Sequence, residues 1–183
     1  MIPILLLCAI LSQAGPLTAL RPLIDNDRVT VWDATNGTAV QPLDAVVVSL
    51  SGSAVFLPKG MTSKFTGGSF VIALKDHPVA PIANTTGYPL AFPRPGSRKI
   101  LENERVIVWD YTWTPGVATP MHFHDKDTVV VYLDGGDLKS TTPDGQATVN
   151  SYKFGMVRFN LRDRTHTETL IRGKQHAIIT ELK

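Results

Sequence analysis

Gly116-Val-Ala-Thr-Pro-Met-His122-Phe-His124 carries two histidines one residue apart. On an extended segment side chains alternate with a period of two, so His122 and His124 share a face. A third histidine, His166, comes later in the chain. Supplied by a neighbouring strand, its imidazole would complete one face of a divalent metal ion and leave the opposite positions to water, dioxygen or substrate.

The composition around this stretch is that of an all-β protein. The chain has 183 residues, 19% of them charged, with 14 Gly and 13 Pro and many short runs of Val, Thr and aromatic residues. That suits strands and turns, and the length suffices for one domain or two small joined repeats. No stretch sustains a helical period, so little helix is expected. Net charge is +2, with both signs scattered along the chain, which excludes a nucleic-acid-binding stripe.

Residues 1–19 differ in kind. Ile2 to Leu11 is an uncharged apolar run, followed by Ser12-Gln13-Ala14 and Leu17-Thr18-Ala19, either of which suits signal-peptidase cleavage. The run is too short to span a bilayer. It reads as a secretory signal, giving a secreted or periplasmic protein with no stable membrane insertion after cleavage. Cys8, the single cysteine, leaves with it, so the mature chain has no disulfide.

Beyond the leader the sequence repeats. Asp25-Asn-Asp-Arg-Val-Thr-Val-Trp32-Asp33 returns as Glu102-Asn-Glu-Arg-Val-Ile-Val-Trp109-Asp110, and Asp44-Ala-Val-Val-Val returns as Asp127-Thr-Val-Val-Val. Gly68-Ser-Phe-Val-Ile-Ala-Leu74 aligns with Gly155-Met-Val-Arg-Phe-Asn-Leu161 as a third block. Residues 21–93 and 98–183 therefore read as two β units joined at Pro93-Arg-Pro95-Gly96-Ser97. Strands of the second unit are expected at 104–113, 118–124, 127–133, 137–141, 146–151, 156–160, 165–171 and 176–182. Eight short antiparallel strands suggest a jelly-roll barrel or two-sheet sandwich. The first unit lacks the three-histidine cluster, which leaves one metal site per chain.

These residues resemble the cupin superfamily. Its first motif, Gly, five residues, His-x-His, three or four residues, Glu, six residues, Gly, is met by Gly116, His122, His124 and Gly135, with Thr128 at the glutamate position. Its second motif is met by Gly155 and His166, while Leu161, Asp163 and Leu170 stand at its Pro, Gly and Asn positions. The resemblance implies a cupin-type jelly roll built of two repeats, the first degenerate. It also implies a divalent metal ion (Fe, Mn, Ni or Zn) on His122, His124 and His166. With Thr128 in place of glutamate, three neutral imidazoles leave the ion's charge undiminished, which favours a small anionic substrate. Cupins with three histidines and no glutamate include thiol dioxygenases, so a dioxygenase and an isomerase or lyase are both open. The alternative is a non-catalytic binding module or scaffold.

Further residues are assigned roles around this centre. Arg158 is the preferred anion-binding arginine over Arg162 and Arg164. Thr128 and Tyr132 are read as hydrogen-bonding cavity residues, and His176 as a rim residue that can reach substrate. Trp32 and Trp109, at matched repeat positions, read as core, and Trp113 as reaching the rim. Metal affinity is expected to fall below pH ~6.5, where free imidazole protonates. Edge pairing of sheets makes a homodimer plausible.

Overall fold

A computed structural model of the chain describes residues 22–34, 36–66 and 68–183; the leader read over residues 1–19 lies outside them. The described residues form strands and loops, with no helix among them. In order the strands are β1 (Ile24–Asp25), β2 (Val29–Asp33), β3 (Asn36–Val40), β4 (Ala45–Ser49), β5 (Ala54–Leu57), β6 (Thr62–Thr66), β7 (Ser69–Leu74), β8 (Ser97–Glu102), β9 (Val106–Thr112), β10 (His122–His124), β11 (Thr128–Tyr132), β12 (Gly136–Thr141), β13 (Ala147–Tyr152), β14 (Val157–Asn160), β15 (Arg164–Gly173) and β16 (His176–Leu182).

They assemble into two five-stranded sheets, β1-β2-β7-β4-β5 and β14-β11-β16-β9-β8, a four-stranded sheet β10-β15-β12-β13, and the pair β3-β6. The central strands of the second five-stranded sheet are apolar on both faces because both are covered. Val106, Val108, Val129, Val131, Ile178 and Leu182 pack against Val29, Val31, Val46, Val48, Ile72 and Leu74 of the first. The alternate residues Trp109, Tyr111, Val130, Tyr132, Ala177 and Ile179 face the four-stranded sheet, meeting Leu138 and Leu170. The second half is thus an antiparallel two-sheet sandwich, and the fold is all-β with a cupin-type jelly roll. Trp32 and Trp109 both occupy the inner faces of their own halves, as core residues.

The registers of the two five-stranded sheets coincide. Val29 pairs with Leu74 and Ala45 with Ala73; Val106 pairs with Leu182 and Thr128 with Glu181. By this measure the counterpart of β7 is β16. The third block of the sequence alignment, which set Gly68–Leu74 against Gly155–Leu161, matched β7 with the edge strand β14 instead. Both are short β-branched and aromatic strands, and local pattern does not distinguish them.

Polar contacts across the shared core follow the same symmetry. Arg28 donates to Asp127 at 2.6 Å, and Arg105 donates to Asp44 at 3.1 Å. Asn26 and Asn103 each accept from two backbone amides at the start of β2 and β9. Lys75 pairs with Asp25, and Lys183 with Glu102.

Three boundaries differ from the sequence reading, the first being the strand expected at 118–124, which is confined to His122–His124, with Ala118 in an isolated bridge to Thr169. Ser97–Glu102 is a strand, β8, on an exposed edge where Arg98 and Lys99 mask the pattern. The segment before it belongs structurally to the second half. Ile82 N–H donates to the Asp125 carbonyl, Phe123 N–H to that of Pro89 and Ala91 N–H to that of Phe123, so this strap lines up beside β10. Ala91 and Phe92 are buried in the second half's sandwich. The apolar pull of that pair outweighs the chain-breaking prolines that suggested a bare joint.

Arg28 and Asp127 are 9% and 4% exposed, whereas Arg105 and Asp44 are 29% and 28% exposed. Removing one partner of a buried pair strands the other charge, at a cost of ~3–5 kcal/mol, while a half-exposed pair is worth ~1 kcal/mol or less. In urea unfolding, Asp127→Ala should therefore cost several times more stability than Asp44→Ala; equal losses would contradict the asymmetry.

Candidate metal centre

β10 and β15 pair antiparallel, with His122 opposite His166 and His124 opposite Arg164. Alternation then turns all three histidines to one face, while Phe123, 2% exposed, points away from them. The ring centroids are 4.8 to 5.0 Å apart, and one nitrogen from each ring lies within 4.8 Å of the others. All three side chains are buried.

Hydrogen bonding assigns the first tautomer. Nδ1 of His122 lies 2.8 Å from the Pro120 carbonyl, which only accepts, so Nδ1 carries the proton and Nε2 turns its lone pair inward. Nε2 of His124 is 3.2 Å from it, and His166 Nε2 is a buried nitrogen without a partner. Burial, then the charge of Arg94, pushes the His122 pKa down to about 3. Burial also lowers His124, well below the ordinary range, and His166. Three neutral imidazoles with inward-facing nitrogens fit a divalent ion that accepts nitrogen ligands, such as iron, nickel or zinc.

A cavity of about 50 Å³ opens beside the histidines, lined by residues that include Arg94, Trp113, Thr128, Tyr132, Arg164 and Glu168. Thr128 and Tyr132 stand where the sequence placed them. Arg158 stands behind Tyr152, its guanidinium 5.7 Å from that ring's centroid, and it is Arg164 that lines the cavity. Arg164 sits opposite His124 in the ladder, a pairing that strand spacing within one segment does not reveal. His176 is corrected more sharply. It shares the parity of Ile178 and Leu182 on β16, which face the core between the halves, and its Nε2 meets Asp110 at 2.7 Å. It faces away from the site. Trp113 is not a rim residue: 4% exposed, its indole N–H donates to Glu168 at 3.1 Å.

Two site residues went unrecognised in the sequence. Arg94 lies in what reads as a linker, yet its Nη1 is 2.7 Å from His122 Nε2 and its Nη2 is 3.3 Å from Glu168. Glu168 shares the parity of His166 on β15, and its Oε1 lies 3.9 Å from His166 Nε2. Burial raises its pKa, but Arg94 and the two nearer histidines outweigh that and leave it below the usual value, as a carboxylate. The spacing His166-x-Glu168 was the one available signal, a carboxylate two residues from a metal-site histidine.

Asp163, at the glycine position of the second motif, has φ 62°. That left-handed backbone explains the motif's glycine, and aspartate is among the few other residues that tolerate it. Its amide donates to the His124 carbonyl at 2.8 Å and so fixes the turn into β15.

No family model matches the chain, and no curated protein does. Solved structures similar to it include a cupin domain from Bordetella pertussis, 28% identical over 50% of this chain and 97% of that one, with a TM-score of 0.44. A cupin 2 conserved barrel domain protein from Leptotrichia buccalis is 12% identical over 89% and 88% of the two chains, with a TM-score of 0.47. The polyketide cyclase RemF from Streptomyces resistomycificus is 19% identical over 57% and 79%, with a TM-score of 0.39. By fold the chain is a cupin-type jelly roll, and its buried group of three histidines is compatible with metal binding.

The depressed histidine pKa values change the expected pH response. His122, held neutral to about pH 3, and His124 and His166, both lowered by burial, keep their lone pairs below the ordinary value of 6.5, so metal uptake should persist at pH 5, where free imidazole is mostly protonated. The unfolded chain takes up protons that the folded one refuses. Stability is therefore fully present above pH 6.5 and declines as pH falls toward 3. Denaturant titrations of chelator-treated protein between pH 7.5 and 5 should show this decline; a flat profile would count against neutral, buried imidazoles. At Asp163 a β-branched residue would be strained, so Asp163→Val should lower stability by ~1–2 kcal/mol while Asp163→Gly stays within ~1 kcal/mol of the parent, by thermal or urea unfolding.

Proposed function

We propose that this chain is an exported, metal-dependent cupin enzyme in which His122, His124 and His166 hold one divalent ion and the adjoining cavity takes a small anionic substrate. The observation that carries this reading is the convergence of three buried, neutral imidazoles on one face of the sandwich. Export rests on the apolar run from Ile2 to Leu11. The likeness between the halves in strand register and reciprocal ion pairs supports an internal repeat whose second copy alone carries the site.

The cavity's size and charge narrow the substrate. At about 50 Å³ it admits only a few heavy atoms without side-chain movement. Arg164 offers guanidinium donors suited to a carboxylate or similar anion, and Thr128 and Tyr132 offer hydroxyls. When bound, the ion supplies oxygenase-like chemistry if it is iron or nickel, or Lewis-acid chemistry in an isomerase or lyase step if it is zinc or manganese. Glu168, ionised and held by Trp113 and Arg94, is placed to take up or release a proton at Oε1 beside His166.

Elemental analysis of the purified protein should find near-stoichiometric metal that His122→Ala and His166→Ala both lose while keeping the fold by circular dichroism. Unchanged metal content in both variants would remove this assignment. A screen of small carboxylates and thiols then separates turnover from binding alone.

A further inference from the structure

Resting on the metal reading, we propose that Glu168 is a fourth ligand of the ion, binding it through Oε1 beside the three histidines. The charges around the cavity call for an anion there. Two guanidiniums, those of Arg94 and Arg164, line it, and Glu168 is the one carboxylate among the described residues that do. A divalent cation held by neutral imidazoles alone would add its charge to two cations already present, with no counter-charge at the ion.

Glu168 has both the position and an oxygen to spare. It follows His166 by two residues on β15, so alternation sets the two side chains on one face. Its Oε2 accepts from the Trp113 indole at 3.1 Å and from Arg94 Nη2 at 3.3 Å, whereas no described residue donates to Oε1. One oxygen on fixed donors and the other left open is how a ligating carboxylate is oriented. Oε1 lies 3.9 Å from Nε2 of His166, itself a buried nitrogen without a partner. Two atoms that each bind one zinc ion at ~2.1 Å are at most about 4.2 Å apart, so this pair is within the span of a shared ion. The 3.2 Å between Nε2 of His122 and Nε2 of His124 meets the same limit. Glu168 stands at the margin of the three-histidine group, and a turn of its terminal carboxylate about the donors on Oε2 carries Oε1 inward. Oε1 then exchanges a proton only while it is off the ion, and a substrate's anionic group is met by Arg164 rather than by an uncompensated ion.

The test uses the full chain treated with chelator and then loaded with zinc. A crystal structure of the loaded protein should place Oε1 about 2.0–2.2 Å from the ion, together with one nitrogen from each histidine. Zinc on the three histidines with Oε1 outside bonding distance overturns the inference and leaves the metal site standing. In titration against a chromophoric chelator, Glu168→Gln, which keeps the size and removes the charge, should bind zinc more than about a hundredfold more weakly than the parent. Loss of a group that merely supports a ligand costs ~10–100-fold, so a smaller effect, or none, overturns coordination. Arg158→Met, outside the cavity, should bind as the parent does. Absence of zinc uptake by parent and variants alike overturns both readings. Should Glu168→Gln fail to fold, the structure of the loaded parent decides.

Discussion

The structure depends on the alternation of side chains in one sheet, β14-β11-β16-β9-β8, with both faces buried for different purposes. One face, led by Val108, Val129 and Ile178, is locked against the valines of the first half. The other, led by Trp109, Val130 and Ile179, closes over the cavity. A slip of one residue in β11 would exchange its faces, sending Thr128 and Tyr132 into an apolar core. The apolar seam between the halves thus sets the register on which the site depends, and the first half contributes to the site without supplying a histidine to it.

Charge in the site is arranged around neutral imidazoles. The imidazoles are kept uncharged by burial and by the cations near them, chiefly Arg94 for His122 and Arg164 for His124. Glu168 supplies the carboxylate that strand β11, with Thr128, does not. It stands on the other sheet, and its charge is shared with Arg94 and Trp113. Between the halves, Arg28 and Asp127 solve a different problem. Asp127 adjoins Thr128 but faces the opposite way, where it receives both the Arg28 guanidinium and the Arg162 amide. A carboxylate adjacent in sequence to the site is thereby spent on holding the halves together.

Local pattern was enough for several elements and misleading for others. His122 and His124 were legible because a period of two is a property of any extended chain, and Trp32 and Trp109 because matched positions share a face. His176 was misread because its place along a strand was visible but the face it turned to the cavity was not, whereas Arg158 lies on the cavity side of β14, opposite Val130, and is kept from the cavity by Tyr152. β8 was hidden because its outer face is charged, and an edge strand needs only half of an apolar pattern.

By itself the sequence determined the all-β class, the short strands and their turns, and the three imidazoles on extended segments, since these follow from alternation, turn chemistry and spacing. Only the tertiary structure decided that Arg94, Trp113 and Glu168 meet at those imidazoles. They come from a strap, the residue that follows β9 and the middle of β15, and their meeting is set by strand pairing and by the burial of Ala91 and Phe92. Contacts between segments far apart in the chain leave no periodic signal in either segment, so their chemistry becomes readable only once the sheets have closed.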